Sequence, residues 1–556
     1  MQQKNNRIQK VYLWLPVMLS IVLVVGILIG SRLTGSSASS TSNTAQMAAQ
    51  RSSQGKVEQL LRFIESKYVD EVDREQLVDE AIESILKQLD PHSSYISKED
   101  ISRVTDDLDG NFEGIGVEFM ILEDTIVVVS AISGGPAASV GIRAGDKIVQ
   151  VEDSTVAGVG MTNAGIVALL KGEKGTEVEV GIYRPGLEDI QYFKITRDEI
   201  PIYSVDASYM ISETTGYIRI NRFRATTDRE FIDALEKLET NGMEDLMLDL
   251  RQNPGGYLQK AANMLNQLFD EKGDLMVYTQ GRSVNRANYK TTGRGIFNID
   301  KIAVLINEGS ASASEIVAGA IQDHDRGIIV GRRSFGKGLV QERYQLKDGS
   351  ALQLTIARYY TPSGRSIQKP YEDLDAYQND FNERYESGEL LSENNISILD
   401  STRYFTDNGR VVFGGGGISP DVFVPIDTSV LDPTYTKLNQ YVANFSFNYF
   451  ENNRNELSGL SIEEFVGNYQ ISSNTYESFI QYALEQAPKL ASDKVNNLNP
   501  KLQQQLKENI KARIGKQLFD DEGFYRVINS TDPMITSALD ALKDYKNILK
   551  RKQFKN

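Results

Sequence analysis

The chain has 556 residues, enough for three or more domains, and a net charge of −16. This acidity excludes a typical nucleic-acid-binding domain, whose surface carries a basic patch. The sequence contains no cysteine, which excludes thiol nucleophiles and disulfide bonds, and its two histidines, His92 and His324, limit the bases available to a serine nucleophile.

The N-terminal end has the pattern of a membrane anchor. Residues 11–30 carry no charge, and residues 1–10 contain Lys4, Arg7 and Lys10. Twenty helical residues span about 30 Å, the thickness of a bilayer core, whereas the apolar region of a signal peptide usually has about 7–15 residues. We therefore expect an uncleaved, single-pass anchor in the inner membrane, with signal cleavage as the alternative. The basic end is expected to stay cytoplasmic, which places the rest of the chain in the periplasm.

The next two segments are predicted to be a linker and a helical pair. Residues 31–55 are rich in Ser, Thr, Ala and Gln and predict a flexible tether. Between Val57 and Leu89, apolar residues recur at helical spacing, and Asp90-Pro91 ends that pattern. We interpret His92, in the segment after this proline, as a polar packing residue.

Residues 106–198 resemble a PDZ domain. An alternating apolar run begins at Val117, a second strand is predicted at Thr125–Ser130, and a helix at Thr162–Leu170. In such domains, backbone N–H groups of a glycine loop hold a terminal carboxylate, and the adjoining edge strand accepts an extended peptide. The residues that match are Gly114, Ile115, Gly116 and Val117. The implied ligand is a protein C-terminus with apolar side chains; a simple hairpin is the alternative for the glycine pair alone.

Strand and helix patterns alternate after residue 199 and predict an α/β core. The predicted elements are a strand at Tyr217–Ile220, a helix at Thr227–Thr240, a strand at Asp245–Leu250 and a helix at Tyr257–Phe269. The loop RQNPGG, residues 251–256, follows the second strand, where α/β folds place their ligand sites. Its two glycines let the backbone approach a substrate closely, although a plain helix-entry turn fits them equally.

A serine-rich turn follows the next predicted strand, Ile302–Ile306. The turn, Gly309–Glu315 (GSASASE), leads into a helical pattern. The unpaired N–H groups at a helix N-terminus can stabilise a developing oxyanion, which suits acyl transfer. Ser312 and Glu315 also fit a capping box, so a plain helix cap is the alternative.

The base available to such a serine is restricted. His324 would lie about 18 Å from Ser312 along the same helix, out of hydrogen-bonding reach. His92 lies before the first predicted globular domain, and long-range folding could still bring it to the serine. The other base chemistry available is a neutral lysine. Lys337 lies between two glycines in Phe335–Gln341 (FGKGLVQ), after the predicted strand Ile328–Val330, and its apolar neighbours would lower its pKa by desolvation. An exposed hairpin lysine is the alternative.

The two motifs GSASASE and FGKGLVQ together resemble the carboxyl-terminal processing, or tail-specific, proteases. These are serine endopeptidases with a Ser/Lys dyad, an embedded PDZ domain and a crotonase-like α/β core. The resemblance implies that Ser312 is the nucleophile, Lys337 the base and Gln341 the residue that orients the lysine. It also implies an oxyanion hole made by the N–H of Ala313 and that of Gly255 or Gly256. Neither a metal nor a cofactor is expected.

Two further segments complete the chain. Residues 371–408 are polar and acidic, and we expect a solvated, loop-like flap. Beyond residue 431 the pattern is helical, and Leu502, Leu506, Ile510, Ile514 and Leu518 recur every four residues, as on a helix-packing face. Residues 501–556 carry 12 Lys/Arg and 7 Asp/Glu, which fits either a solvated face or a partner surface.

The sequence thus predicts a multidomain α/β protein. Its segments are a cytoplasmic N-terminus (1–10), an anchor (11–30), a linker (31–55), a helical segment (56–105), a PDZ domain (106–198), a protease core (199–430, with the 371–408 insertion) and a helical extension (431–556). The expected function is a membrane-anchored serine endopeptidase that cleaves extracytoplasmic proteins recognised by their apolar C-terminal tails. A second copy and an activator protein are candidate partners; nucleic acid is not. The alternative is a catalytically silent PDZ scaffold or peptide-binding protein on a protease-like core.

Overall fold

The computed structural model describes residues 55–132, 134–488, 490, 494–495 and 497–551. The expected anchor at 11–30 lies outside these residues. Among the residues described, no helix has the length and apolarity that a membrane span requires. The chain divides into two compact units after Gln88.

The first unit contains the predicted helical pair, α1 (Lys56–Lys67) and α2 (Arg74–Lys87). Asp73 caps α2, because its carboxylate accepts hydrogen bonds from the N–H groups of Glu75 and Gln76. Arg74 forms ion pairs with Glu58 at 3.0 Å and Glu65 at 2.9 Å, and so joins the two helices.

The second unit begins with β1 (Ser94–Ile96) and α3 (Ile101–Asp109) and continues into the PDZ domain. The domain's elements are β2 (Asn111–Gly114), β3 (Val117–Leu122), β4 (Thr125–Ala131), α4 (Pro136–Ser139), β5 (Lys147–Val151), β6 (Ser154–Thr155), α5 (Asn163–Leu170), β7 (Glu177–Tyr183), β8 (Gln191–Thr196) and β9 (Asp198–Pro201). The main sheet has the order β3-β4-β5-β7-β8. Strand β3 therefore lies at the sheet edge, where a peptide strand can be added.

The protease core is built on a six-stranded sheet of order β10-β11-β12-β15-β16-β21. Its elements are β10 (Val205–Met210), β11 (Thr215–Ile220), α6 (Thr227–Thr240), β12 (Asp245–Asp249), α7 (Leu258–Leu265), β15 (Ile302–Ile306), α8 (Ala313–Asp323), β16 (Ile328–Gly331) and β21 (Val422–Phe423). From β11 to β21 all pairings are parallel. Strands β12 and β15 are entirely buried, as continuous apolar runs predict. Helices α6, α7 and α8 pack together in one apolar cluster with this sheet.

A second sheet carries the segment after Lys337. It contains β13 (Lys272–Gln280), β14 (Ala287–Thr292), β17 (Leu339–Gln345) and β18 (Ala351–Tyr360) in the order β1-β18-β13-β14, with β17 also paired to β18. Strand β1 pairs with β18 through Ser94 and Gln353. The segment around His92 is thereby fixed to the protease core.

The segment 371–408 is exposed at most of its acidic residues, as expected, but it is not loop-like. It forms α9 (Leu374–Gln378), α10 (Asp380–Glu386), a 3-10 turn (Glu393–Asn395) and β19 (Asp400–Phe405), which pairs with β20 (Val411–Gly414). The segment also contains a buried ion pair that its polar composition does not predict. Glu389 accepts hydrogen bonds from Arg333 and Arg384, each at 2.8 Å. Composition alone could not distinguish paired, buried charges from solvated ones.

The helical extension covers the other face of the core sheet. After a 3-10 turn (Thr428–Leu431) it forms α11 (Pro433–Asn439), α12 (Val442–Leu457), α13 (Ile462–Asn468), α14 (Ser473–Gln486), α15 (Pro500–Asn529), α16 (Pro533–Lys543) and α17 (Tyr545–Leu549). Met534, Ile535 and Leu542 of α16 join one buried cluster with Tyr217 and Leu305 of the sheet. The stripe predicted from Leu502 to Ile514 is buried inside the extension, as expected of a packing face.

Candidate active site

Ser312 directly precedes α8, beyond the carboxyl end of β15. Its backbone has φ 54° and ψ −111°, a conformation that costs about 1–3 kcal/mol for a residue with a side chain. Neighbouring hydrogen bonds hold this turn: Ser310 Oγ donates to the Leu250 carbonyl at 2.8 Å, and the Ala311 N–H donates to the Asn253 carbonyl at 3.0 Å. The turn after β15 is thus fixed to the loop after β12.

Lys337 lies in the segment between β16 and β17 and is largely buried. Desolvation lowers the pKa of its amine; nearby Glu315 opposes this shift and Arg222 adds to it. Its Nζ forms neither an ion pair nor a hydrogen bond with any residue that the structure describes. The exposed-hairpin alternative is therefore wrong, and the environment favours a neutral amine.

Glu315 joins the serine turn to the lysine segment. One carboxylate oxygen, Oε2, accepts the N–H of Ser312 at 2.8 Å and that of Lys337 at 2.9 Å. The other, Oε1, accepts the Ser334 hydroxyl at 2.5 Å and the Gly336 N–H at 2.7 Å. Burial raises the pKa of Glu315 to about 7, against these hydrogen bonds. Glu315 is thus more than the second half of a capping box.

Tyr359 forms a second bridge between the same two residues. Its hydroxyl lies 3.0 Å from the carbonyl oxygen of Ser312 and 2.5 Å from that of Lys337. The side chain is 1% exposed, so the bridge is shielded from water. The main chains of the two dyad candidates are therefore held together at both their N–H and their carbonyl groups.

The glycine loop lies against the serine. A Cβ added at Gly255 (φ +100°) would lie 2.7 Å from Ser312 Cβ and 2.9 Å from the Ala313 nitrogen, so only glycine allows this approach. The Gly255 N–H donates to Asn253 Oδ1 at 2.9 Å. The N–H groups of Gly256 and Ala313 have no acceptor among the described residues. Gly256, rather than Gly255, therefore retains an available donor.

The side chain of Gln341 bonds to Thr355, and not to Lys337 as the resemblance implies. Its Nε2 donates to Thr355 Oγ1 at 3.2 Å, and no hydrogen bond joins it to the Lys337 amine in the described structure. Thr355 Oγ1 in turn donates to Asp90 Oδ1 at 3.0 Å. Asp90 also accepts the N–H groups of His92 and Ser93, both at 2.8 Å. A buried chain of hydrogen bonds thus runs from Gln341 to the segment before β1.

Neither histidine is placed to act on Ser312. His92 Nε2 lies 2.7 Å from the Tyr377 hydroxyl. Burial, reinforced by the nearby Lys337, lowers the pKa of His92 to about 4, so the ring is neutral near pH 7. His324, at the C-terminal end of α8, contacts Asp407 and the Leu275 carbonyl. His92 is a packing residue, as expected from the sequence.

The predicted carboxylate loop of the PDZ domain opens the edge strand. Gly114 ends β2, Ile115 is buried, Gly116 has φ 75°, and Val117 begins β3. The carbonyls of Ile115 and Gly116 accept the N–H groups of Ala137 and Ile132, whereas their own N–H groups have no acceptor among the described residues. The loop can therefore donate to a bound carboxylate.

Sequence reasoning missed the residues that assemble the site. Glu315 was visible as the S-x-x-E of a capping box, but its contact with the lysine segment is a long-range feature. Tyr359 ends an alternating strand pattern and carries no local signal. Asp90 was recognised only as the end of a helix, although its position before proline marks a fixed turn.

The arrangement can support acyl transfer. A serine lies at a strained turn before a helix, the backbone of a desolvated lysine is joined to the backbone of that turn through Glu315, and the N–H groups of Gly256 and Ala313 have no acceptor among the described residues. These are the components of nucleophilic attack, proton transfer and oxyanion stabilisation.

Comparisons with known proteins identify the family of each segment. Residues 214–375 match peptidase family S41, residues 114–190 match a PDZ domain, and residues 25–100 match a domain described as the activating protease CtpB N-terminal domain. Residues 435–520, in the helical extension, match a family of unknown function.

The chain is similar to two bacterial enzymes over most of their length. It is 36% identical to the carboxy-terminal processing protease CtpB of Bacillus subtilis over 332 residues, covering 59% of this chain and 68% of that protein. It is 39% identical to a carboxy-terminal-processing protease of Bartonella bacilliformis over 335 residues, covering 58% and 76%. Among solved structures, a photosystem II D1 C-terminal processing protease is 29% identical with a TM-score of 0.35, covering 66% of this chain and 86% of that one. The two sequence relatives and the match to the family model show that the chain belongs to the carboxy-terminal processing serine proteases of peptidase family S41.

Proposed function

We propose that this protein is a membrane-anchored endopeptidase that cleaves extracytoplasmic proteins recognised by their C-terminal tails, with Ser312 and Lys337 as its catalytic dyad. The observation that carries the proposal is the carboxylate oxygen of Glu315 shared by the N–H groups of Ser312 and Lys337. Because that contact fixes the two main chains to each other, the serine and the lysine act as one unit.

In the proposed reaction, Ser312 Oγ attacks the peptide carbonyl carbon while the neutral Lys337 amine takes the hydroxyl proton. The N–H groups of Gly256 and Ala313 stabilise the oxyanion. Lys337 then protonates the leaving amine, which releases the first product and leaves an acyl-enzyme. A water molecule, deprotonated by Lys337, attacks the ester and restores Ser312. Gln341 acts on the lysine through its position beside Thr355.

Substrate recognition is assigned to the PDZ edge strand. The N–H groups at Gly114–Val117 would hold the terminal carboxylate, and β3 would pair with the tail. An apolar tail suits the groove because Phe119 and Ile121 pack at the edge of the domain's apolar cluster. Anchoring by residues 11–30, with the catalytic part in the periplasm, is proposed from the sequence alone, and so are a homo-oligomer and an activator protein as partners.

The test uses the full chain in detergent and a loosely folded protein that ends in three apolar residues. Wild-type protein should degrade it, and Ser312→Ala and Lys337→Ala should each lose cleavage by about a thousandfold or more, as expected when a unit of nucleophile and base is broken. Equal cleavage by Ser312→Ala and wild type would show that another residue is the nucleophile.

Tail recognition is tested separately with the same substrate carrying a C-terminal amide. Amidation removes the charge that the glycine loop would bind, so KM should rise while kcat changes little. An unchanged KM would argue against carboxylate recognition and leave the dyad assignment intact.

A further inference from the structure

The helical extension contacts the loop that carries the proposed oxyanion donor. This loop, Arg251–Gly256, is called here the oxyanion loop. Its position is tightly constrained, because a Cβ added at Gly255 would lie 2.7 Å from Ser312 Cβ and 2.9 Å from the Ala313 nitrogen. A misplacement of about 1 Å at a catalytic group can cost about a hundredfold in rate, so whatever fixes the first residue of this loop matters for catalysis.

Two guanidinium groups share the buried carboxylate of Asp249: that of Arg251, the first residue of the oxyanion loop, and that of Arg219. Asp249 is 0% exposed and accepts hydrogen bonds from Arg251 Nε at 2.9 Å and Nη2 at 2.6 Å. Arg219 Nη1 lies 3.2 Å from the same carboxylate, and Arg219 Nη2 donates to the Arg251 carbonyl at 3.1 Å. Burial opposes ionisation of Asp249, but the two guanidinium groups hold its pKa well below the usual range.

Arg219 is also paired with Asp206 of β10, and the extension supplies a second carboxylate to Arg251. Asp532 Oδ2 accepts a hydrogen bond from Arg251 Nη1 at 2.5 Å, and its side chain is only 16% exposed. Its other oxygen, Oδ1, accepts the Met534 N–H at 2.8 Å and caps α16. Asp532 is therefore fixed by its own helix while it holds the arginine.

The extension also contacts the second cation. The ring of Tyr525, in α15, lies 4.8 Å from the guanidinium carbon of Arg219, and its hydroxyl donates to Asp206 at 3.2 Å. Asp206 is 3.3 Å from Arg219 Nε. Residues of the extension thus contact both Arg219 and Arg251.

We propose that Asp532 is a positioning residue for peptide-bond cleavage, which holds Arg251, and through it the oxyanion loop, against Ser312. The helical extension is then part of the catalytic apparatus. This inference rests on the proposed function, because it concerns the stabilisation of the oxyanion by Gly256.

The test compares two single substitutions that each remove one ion pair between the extension and the core. Asp532→Asn keeps the size of the side chain and its ability to cap α16, and removes the charge that holds Arg251. The matched control, Glu522→Gln, breaks the pair with Lys237 on α6, which lies at 3.0 Å and does not touch the oxyanion loop.

We expect Asp532→Asn to lower kcat by about 10–100-fold with KM within twofold of wild type, while Glu522→Gln keeps both constants. A peptide boronate, which forms a tetrahedral adduct with serine, should bind Asp532→Asn at least tenfold more weakly. A product peptide should bind both variants like wild type. The melting temperature is recorded for each protein, so that a loss of folded protein is not read as a loss of rate.

An unchanged kcat and boronate affinity in Asp532→Asn would overturn the inference, and so would an equal loss in Glu522→Gln. If Asp532→Asn fails to fold, Asp532→Glu takes its place, because it keeps the charge and displaces the carboxylate by one methylene. We expect the same decrease in kcat, and a kcat equal to that of wild type would overturn the inference. Failure of the proposed function itself is distinct, because Ser312→Ala would then cleave as wild type does.

Discussion

Lys337 forms no ion pair within the described part of the chain, but three charged side chains affect the pKa of its amine. Glu315 and Asp90 raise the pKa of its amine, and burial and Arg222 lower it. Arg222 is half-buried and pairs with Asp107 at 2.8 Å. Burial therefore has the largest effect on the pKa of the lysine, and the neighbouring charges have smaller effects. Substitution of one of these neighbours should shift that pKa without changing the dyad itself.

The pH profile follows from this arrangement. A general base must be deprotonated, so kcat/KM should rise with pH up to the pKa of Lys337, which lies below the usual 10.5, and fall as the pH drops through it. Arg222→Gln removes a positive charge that favours the neutral amine, so the rising limb should move to higher pH. Arg229→Gln also removes one positive charge, from an exposed residue of α6, and should leave the pH of the rising limb unchanged. A profile that is flat from mildly acidic to alkaline pH would contradict the role of Lys337.

Thr355 connects Gln341 to Asp90 and allows a conservative comparison. Thr355→Val keeps the shape but leaves the Gln341 amide without its partner and removes one of the hydrogen bonds that Asp90 accepts, and an unsatisfied polar group costs about 1–3 kcal/mol where it is buried. We expect kcat/KM to fall about tenfold. Thr355→Ser retains the hydroxyl and should stay within about twofold of wild type. Equal activity of the Val and Ser variants would show that this chain of hydrogen bonds does not position Gln341.

At the scale of elements, the insertion between β18 and β19 supports the lysine segment. Arg384 of α10 donates to the carbonyl of Arg333 at 2.6 Å and to that of Ser334 at 3.3 Å. Those two residues directly precede Phe335-Gly336-Lys337. Glu389 pairs with both Arg333 and Arg384, Asp380 lies 3.7 Å from Arg384, and the side chains of Glu389 and the two arginines are nearly fully buried.

Removal of the shared anion should therefore destabilise the fold. Glu389→Gln leaves two buried guanidinium groups without their carboxylate, and breaking one partner of a buried pair costs about 3–5 kcal/mol. The free energy of unfolding, measured in urea by circular dichroism, should fall by about that amount. Glu386→Gln, on the exposed side of α10, should change it by less than about 0.5 kcal/mol. Similar unfolding curves for both variants would contradict the structural role of the insertion.

The elements of the core could be predicted from the sequence where one local pattern decides. Helix Thr227–Thr240 and strand Ile302–Ile306 have the predicted bounds, because an amphipathic repeat and a continuous apolar run are local properties. The helix predicted at Tyr257–Phe269 is shorter, Leu258–Leu265, since the chain must turn towards β13.

The elements of the insertion were missed because its charges pair with residues distant in the sequence, which a periodicity cannot show. Ser312 and Lys337 are proposed as the dyad on the two motifs, whereas the contacts of Glu315, Tyr359 and Asp90 are made only in the folded chain.

At the scale of the whole molecule, the extension links the PDZ domain to the protease core. Lys516 of α15 pairs with Glu118 of the peptide-accepting strand β3 at 3.2 Å, and Arg454 of α12 donates to the Ala144 carbonyl at 3.1 Å. The same extension holds Arg251 through Asp532. The extension therefore contacts both the strand that would receive the substrate tail and the loop that would stabilise the oxyanion.

Because α16 completes the core of the sheet, the extension and the protease core should unfold together. Ile535 is 3% exposed and belongs to the same cluster as Tyr217 and Leu305. Ile535→Ala removes buried apolar atoms and leaves a cavity, so the whole urea transition should shift by about 2–5 kcal/mol, with loss of activity at the same denaturant concentration. Thr536→Ala, on the exposed side of α16, should leave the transition in place. Separate transitions, with activity surviving the first one, would show that the extension folds independently of the site, and the contact between Asp532 and Arg251 would then be dispensable for the fold of the core.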